Sequence, residues 1–227
     1  MTPMMRTSEL SGPLAPRLRP ITPGALHPVD AAEAASGDDD LDDVEVAGLN
    51  LDRMTWTGRR RLGSSRVSDL VVRDWQARAA SLVDSVVEGA DVTTLSAAES
   101  GWWNVEVTQS RIGSAELYDA VLRNVHFVRC KLGYLNLRGA NLTDVAFTDC
   151  VISDLDLLRA TATRVSFPGS RISRLELSGS RLEDVDLRGA DLADIGTLEG
   201  LRGATITLDQ LLEIAPALAE SLGIKVE

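Results

Sequence analysis

Apolar residues recur at every fifth position along most of the chain. The series runs through Leu41, Val46, Leu51 and Trp56, skips one position, resumes at Leu62 and continues in steps of five to Leu192. A step of five matches neither the 3.6-residue period of a helix nor the two-residue period of a strand. The pattern therefore predicts an internal repeat built from units of five residues.

Residues 20 positions apart share their chemistry, as expected if four units close one square coil. The three phenylalanines of the chain, Phe127, Phe147 and Phe167, occupy one such column. Another column is rich in branched aliphatic residues, which suit a pleated surface. Columns of large residues oppose columns of small ones, as dense packing requires. We therefore expect stacked coils in which the centre of each unit points inward.

The five-residue units also have a recognisable composition. The segments from Ala140 to Asp144 and from Ala190 to Asp194 resemble the A(D/N)LXX unit of the pentapeptide-repeat family, and the register extends over most of the chain. The resemblance implies a bacterial protein with an all-β fold, namely a right-handed quadrilateral β-helix with a short C-terminal α-helical cap.

Three segments are expected along the chain. Residues 1–40 contain six of the eight prolines and the start of an acidic stretch, so we expect a disordered tail. Residues 41–203 are the β-helix. Residues 204–227 are the helical cap, because Thr207 and Gln210 have capping-box spacing and Gly223 can end a helix. Pro216 should divide this helix into two short pieces.

Charge and hydropathy exclude several classes of function. The net charge of −11 argues against binding to a phosphate backbone, so no direct contact with nucleic acid is expected. The one basic run, Arg59 to Arg61, lies at the break in register and is expected as solvated surface at a bulged corner. No stretch approaches the ~18 apolar residues of a membrane span, and the first 30 residues lack the apolar core of a secretion signal. A cytoplasmic protein is expected.

Catalytic and metal chemistry have little basis in the sequence. A tube filled by its own side chains offers no concave pocket, so we expect neither an enzyme nor a cofactor. His27 and His126 lie far apart and lack partners for a metal. Cys130 and Cys150 are stacked on adjacent coils, with Cα atoms about 4.8 Å apart and within disulfide range. Small residues fill the rest of their column, which favours buried thiols.

Function is therefore expected on the outward side chains. One outward column contains Glu116, Asp156 and Glu176 without any basic residue, and it is the candidate acidic binding column. We predict a non-catalytic protein-binding scaffold, whose partner the sequence does not identify. The resemblance implies an alternative, since some pentapeptide-repeat proteins mimic B-form DNA, bind bacterial DNA gyrase and in some cases confer quinolone resistance. Arg138 and Arg159 interrupt the neighbouring columns and argue against it.

The resemblance also implies a homodimer formed through the C-terminal helix. The candidate dimer residues are Leu211, Leu212, Leu218 and Leu222, which lie on the apolar stripe of the predicted helix. A two-fold pairing would cover both tube ends at once. The competing interpretation is that Leu208, Leu211 and Leu212 cover their own last coil and leave the protein monomeric.

Overall fold

The structure is a computed structural model that describes residues 12–37, 39–221 and 223–225. These residues form short strands, two α-helices and one 3-10 helix at Leu198–Leu201. The α-helices are α1 (Ala31–Ala35) and α2 (Leu208–Ser221). The strands are β1 (His27–Pro28), β2 (Ser36–Gly37), β3 (Leu41–Asp42), β4 (Val44–Ala47), β5 (Asn50–Trp56), β6 (Arg61–Gly63), β7 (Arg66–Ser68), β8 (Val71–Gln76), β9 (Ser81–Glu88), β10 (Asp91–Ser96), β11 (Gly101–Thr108), β12 (Arg111–Glu116), β13 (Val121–Val128), β14 (Lys131–Asn136), β15 (Asn141–Thr148), β16 (Val151–Asp156), β17 (Thr161–Ser166), β18 (Arg171–Glu176), β19 (Arg181–Asp186), β20 (Asp191–Leu192) and β21 (Ala204–Thr205).

The strands stack into two parallel sheets, with successive strands alternating between them from β7 onward. One sheet follows the order β2, β5, β8, β10, β12, β14, β16, β18, β20. The other follows β1, β4, β7, β9, β11, β13, β15, β17, β19, β21, with β3 and β6 beside this path. Every pairing is between a coil and the next one, as in a solenoid. The predicted right-handed quadrilateral β-helix is confirmed as the fold class.

The register of the strands follows the sequence period. From the pairing of β8 with β10 to that of β18 with β20, paired residues are 20 positions apart, as in Phe127 with Phe147, and the last pairing, Val185 with Ala204, has an offset of 19. Between the first two coils the offset is 21, as in Val46 with Val67. The one extra residue after Trp56 therefore enlarges a single coil and leaves the later columns aligned.

The centres of the five-residue units fill the interior. Among these predicted positions, only Leu51, Leu182 and Leu192 are half-buried, and the others are buried. Phe127, Phe147 and Phe167 stack along the tube axis, as their column predicts. Because the tube is closed by its own apolar columns, its chemistry lies on the outside and at the ends.

Three of the four corners of a typical coil use left-handed backbone. Within the described ranges, 16 non-glycine residues have positive φ, including Asp84, Asn104, Asn124 and Asp144 in one column. Asn and Asp tolerate this conformation better than other residues with a Cβ atom. The choice of residue at this corner therefore follows from the backbone, and it places a ladder of side-chain amides and carboxylates on the outside.

The N-terminal end of the tube has a cap that the sequence patterns did not indicate. Helix α1 covers it with the buried Ala34, and the Trp56 indole N–H donates to the Ala34 carbonyl at 2.9 Å. Arg60 was expected in solvent and is instead buried at 1% exposure. Its guanidinium donates to the carbonyls of Glu33 and Asp39 at 2.8 and 2.7 Å. Burial is possible because these two carbonyls, one within α1 and one after β2, replace water around the charge.

Part of the N-terminal segment lies against the tube, with Pro13, Pro16 and Pro23 half-buried, which differs from the disordered tail expected for residues 1–40. The backbone N–H groups of Arg17 and Arg19 donate to Asp144 and Asn124, in the column of Asn and Asp corners, and β1 pairs with β4. Prolines fit this position because an extended segment on the outside of a solenoid needs no helical or strand period. Residues 1–11 and Asp38, also part of the predicted tail, lie outside the described residues.

The C-terminal cap begins as predicted. Thr207 and Gln210 form the reciprocal capping box, with backbone-to-side-chain distances of 2.8 and 3.1 Å. The Gln210 amide also donates to the carbonyls of Leu187 and Ala190 on the last coils, both at 2.8 Å. The predicted division of the helix at Pro216 is wrong, because α2 is continuous through it. Pro216 cannot donate to the Leu212 carbonyl, but Leu212 is exposed and water can reach that group.

The two helices and the strands leave no candidate for a membrane-crossing helix. Over the described ranges, no helix is both long enough and apolar enough to span a bilayer.

Candidate functional site

The predicted acidic column lies on the corner that follows β12, β14, β16 and β18. Its central carboxylate, Asp156, is 4% exposed. One oxygen of Asp156 accepts from Arg138 Nε at 2.6 Å, and the other accepts from the backbone N–H of Leu158 at 3.0 Å. Tyr134 contacts the same carboxylate at 3.4 Å. Asp156 therefore closes a turn and pairs with a cation, and little of it is available to a partner.

The neighbouring members of the column are bonded in a similar way. Glu116 accepts from the side-chain amide of Asn136 at 2.5 Å, and Asn136 is itself buried. Glu176 accepts from the backbone N–H and the hydroxyl of Ser178 at 2.8 and 2.6 Å. These bonds from Ser178 lower the pKa of Glu176, while its partial burial acts in the opposite direction. The column is a chain of turn-closing hydrogen bonds that is partly buried.

Sequence reasoning placed these residues on one column correctly but did not show how far they are buried. A polar residue two positions before a turn amide commonly accepts from that amide, as Asn136, Asp156 and Glu176 do here. This two-residue spacing is the sequence signal that could have indicated the hydrogen bonds. The same bonds explain the oxygen-bearing side chains at this corner, because the turn amides need an acceptor whether or not a ligand binds.

The predicted dimer helix presents apolar residues to solvent. Leu208, Leu211 and Leu212 are 70%, 41% and 63% exposed. Leu218 is half-buried, and Leu222 lies outside the described residues. The competing interpretation, in which Leu208, Leu211 and Leu212 cover their own coil, is not what the structure shows.

A cleft separates α2 from the end of the tube. Its volume is about 580 Å³, and its walls include Ile195, Leu198, Ile214 and Ala217. Beyond its first turn, the half-buried side of α2 is therefore separated from the last coil by this cleft. The hydrogen bonds that attach α2 to the last coils come mainly from Gln210 in the first turn.

The groups that could support catalysis are dispersed. Half-buried His126 has its Nε2 atom 2.8 Å from the Thr148 hydroxyl, and burial lowers its pKa while Glu106 raises it. Cys130 and Cys150 are free, buried thiols. Among the described residues, no group of three or more His, Cys, Asp or Glu side chains could hold a metal ion. An internal cavity of about 20 Å³ is lined mainly by apolar side chains and reaches the size of one water molecule.

Comparison with known families identifies the repeat. Residues 113–144 match the family model described as pentapeptide repeats, with eight copies. These residues lie within the 20-residue register that the structure continues on both sides.

The chain contains pentapeptide repeats.

Solved structures similar to this chain share little sequence with it. A trypsin-treated variant of QnrB1, a plasmid-mediated fluoroquinolone resistance protein, is 15% identical with a TM-score of 0.28, covering 84% of this chain and all of its own. HetL from the cyanobacterium Nostoc sp. strain PCC 7120, involved in heterocyst differentiation regulation, is 22% identical with a TM-score of 0.30. That match covers 73% of this chain and 88% of HetL. No curated protein matches the chain.

One outer feature of the pentapeptide-repeat tube was not singled out from the sequence. The ladder corner containing Asn124 and Asp144 accepts hydrogen bonds from the backbone of the N-terminal segment, at Arg19 and Arg17. The bonded residues are more than 100 positions apart, so no local pattern connects them. Asp144 also pairs with Arg164, at 2.6 and 2.8 Å.

Proposed function

We propose that this pentapeptide-repeat protein is a non-catalytic, protein-binding scaffold of the cytoplasm. The observation that carries the proposal is the filled interior. Apolar columns occupy the tube from Leu62 to Leu177, and enzymes commonly act in concave pockets with converging polar groups. The outer faces are flat parallel sheets with mixed charge, which can present a wide surface to another protein.

Affinity capture followed by reconstitution tests the scaffold proposal. The intact protein is immobilised, exposed to cell extract, and each retained protein is purified and titrated by calorimetry. We expect at least one retained protein to bind the purified scaffold at a fixed stoichiometry. A Leu208→Ser/Leu211→Ser/Leu212→Ser variant serves as the control for nonspecific apolar adsorption. If no retained protein binds in the reconstituted titration, the scaffold proposal is wrong.

The DNA-mimic alternative has weaker support from the charge distribution. Asp156 is buried against Arg138, and Glu116 is held by Asn136. Residues 62–196 carry 14 Arg or Lys and 19 Asp or Glu, a net charge of −5. A supercoiling assay with purified gyrase separates the two functions. Loss of supercoiling at micromolar protein would support the alternative, and unchanged supercoiling would reject it.

We further propose that α2 forms a homodimer contact. Leu208, Leu211 and Leu212 are exposed apolar residues close together in the first turns of α2. A two-fold axis through this patch would pair it with itself and remove it from water. Its position at the tube end also suits a closed dimer, since both open ends would be covered together.

Light scattering tests the dimer directly. At tens of micromolar we expect the dimer mass for the unmodified protein and the monomer mass for Leu211→Ser/Leu212→Ser. Leu14→Ser, which changes an exposed leucine far from α2 in sequence, should leave the dimer intact. A monomer mass for the unmodified protein at this concentration contradicts the proposal.

A further inference from the structure

The ladder corner on the outside of the tube is built to accept hydrogen bonds. Asn104 donates to Asp84 and Asn124 donates to Asn104, both at 2.6 Å, so three successive coils are joined side chain to side chain. Each of these residues has φ between 50° and 55°. The left-handed backbone turns the side chains outward, and it leaves the Asn124 and Asp144 oxygens facing the N-terminal segment. We call Asn124 and Asp144 the ladder seat.

The ladder seat is occupied by the chain's own N-terminal segment. The backbone N–H of Arg17 donates to Asp144 Oδ1 and that of Arg19 donates to Asn124 Oδ1, both at 2.9 Å. Pro16 and Leu18 alternate with these residues and are half-buried, whereas the side chains of Arg17 and Arg19 are exposed. Alternate residues therefore face the tube, as in other modes of extended-peptide recognition.

The sequence of the bound segment explains why it fits. Residues 16–20 read Pro-Arg-Leu-Arg-Pro, so the two residues that donate are enclosed by prolines, which have no N–H to leave unsatisfied. Prolines also favour the extended polyproline conformation before binding, which reduces the entropy lost on docking. The arginines add positive charge, and Arg17 interacts electrostatically with Asp144.

We propose that the ladder seat is a binding site for an extended, proline-flanked basic segment of a protein partner, and that residues 16–20 occupy this site in the free protein. The inference rests on the proposed scaffold function and names the class of segment that the scaffold recognises. The partner segment donates alternate backbone amides to Asn124 and Asp144 and places its basic side chains along the acidic ladder. The N-terminal segment competes with it for the same oxygens.

The bound N-terminal segment can exchange because its attachment is limited. Two backbone hydrogen bonds join residues 12–26 to the ladder seat, and the net contribution of each such bond is modest because it replaces a bond to water. A tethered ligand acts at an effective concentration of roughly millimolar. A free peptide of similar affinity therefore competes poorly with the tethered copy, and it binds well once the tethered copy is prevented from docking.

The test uses full-length protein and a fluorescent peptide with the sequence of residues 12–22. Arg17→Pro/Arg19→Pro in the protein removes both donating N–H groups and leaves the ladder seat unchanged. We expect the peptide to bind this variant about tenfold more tightly than the unmodified protein. A peptide carrying the same two prolines is the matched control and should not bind.

A second variant locates the binding on the tube. Asn124→Gly, added to Arg17→Pro/Arg19→Pro, removes one acceptor while glycine readily adopts the positive φ of this corner. We expect peptide affinity to fall about fivefold or more. A peptide with Gln at both arginine positions should also bind more weakly, and the difference should shrink at high salt.

The outcomes separate this inference from the scaffold proposal. If the peptide binds neither protein, or binds both equally, the ladder seat is not a peptide site, while reconstituted binding of a captured partner would leave the scaffold proposal standing. If the unmodified protein instead forms a dimer that Arg17→Pro/Arg19→Pro abolishes, the occupant is the N-terminal segment of a second copy and the partner assignment is wrong. The inference is supported only if the peptide binds Arg17→Pro/Arg19→Pro more tightly than the unmodified protein and binds less tightly once Asn124→Gly is added.

Discussion

The rings of Phe127 and Phe147 lie parallel at 3°, with their centroids 4.8 Å apart. Phe167 extends the stack at 5.1 Å. This spacing is close to that of neighbouring strands, so the backbone register sets the distance between the rings. The middle ring has an aromatic neighbour on both sides, and its removal should affect the column more than the loss of a single contact.

Truncation of the middle ring should be costly. We expect Phe147→Ala to lower the free energy of unfolding by about 3–5 kcal/mol, because a fully buried side chain is replaced by a cavity. Phe147→Leu, which conserves apolar volume more closely, should cost less. Urea unfolding followed by circular dichroism measures both. Thr143→Ala on the outside of the same strand is the control, and an equal loss for Thr143→Ala and Phe147→Ala would contradict the prediction.

Arg60 should stabilise the N-terminal cap. Replacing it with Met keeps much of the buried apolar volume but leaves the carbonyls of Glu33 and Asp39 without these donors. An unsatisfied buried polar group costs roughly 1–3 kcal/mol, so we expect Arg60→Met to lower stability by at least about 2 kcal/mol. Exposed Arg59→Met is the matched control and should stay within about 0.5 kcal/mol of the unmodified protein. Thermal unfolding of both variants measures the two changes in stability.

Asp144 should make stability depend on pH in the acid range. The hydrogen bond from Arg164 lowers its pKa most, burial opposes this effect, and the Arg17 amide lowers the pKa further by a smaller amount. The folded pKa then lies below the unfolded value of about 3.9. The stabilisation is therefore present above that value and is lost as the pH falls through the folded pKa.

The comparison of Asp144→Asn with the unmodified protein measures this effect. We expect the unmodified protein to have the higher melting temperature at pH 6 and the difference to shrink at pH 2–3. Asp52→Asn changes a carboxylate whose side chain is 92% exposed, and it should show little difference at either pH. A gap for Asp144→Asn that is equal at both pH values would reject the assignment.

Cys130 and Cys150 should stay reduced although they are neighbours. In-register parallel strands repeat the same residue at about 4.8 Å, so equivalent Cβ atoms are displaced by a similar distance, which exceeds the mean disulfide separation of about 3.8 Å. The Cys130 thiol donates to the Val107 carbonyl at 3.3 Å. Contact with Cys130 and burial raise the pKa of the Cys150 thiol.

Thiol labelling checks this prediction. After air oxidation we expect two thiols to react with a maleimide in denaturant and neither to react in the folded protein. Mass spectrometry counts the added groups, and Cys150→Ser should reduce the count by one. Protection of both thiols from the label in denaturant would indicate a disulfide instead.

The core of the fold could be predicted because the residues that form it recur at a regular interval in the sequence. The column of Phe127, Phe147 and Phe167 could be aligned from the sequence, since a solenoid brings residues 20 apart into contact regardless of the rest of the chain. The capping box of Thr207 and Gln210 was predictable for a similar reason, because its partners are three residues apart.

The features that the sequence did not predict depend on contacts between segments that are far apart in the chain or differ in type. The burial of Arg60 depends on α1, which lies 25 or more positions away, and a basic run by itself indicates solvent. The bonds of Arg17 and Arg19 depend on residues over 100 positions away. The burial of Asp156 depends on Arg138 in the preceding coil, so a column that looked acidic by its own residues has a cation next to it. The five-residue period of the sequence does not by itself indicate any of these three sets of contacts.

The N-terminal segment imposes a condition on how the protein can vary in length. Residues 17 and 19 bond to two coils, while β1 is paired to the first coil at β4, so the segment spans a fixed number of coils between two points. Gain or loss of a single five-residue unit between them would turn Asn124 and Asp144 by a quarter of the circumference, away from the segment. Only whole coils could be inserted or deleted without that rotation, and each would also require a longer or shorter tether. Homologues that retain the docked segment should therefore differ in this region in multiples of 20 residues, with matching changes before His27.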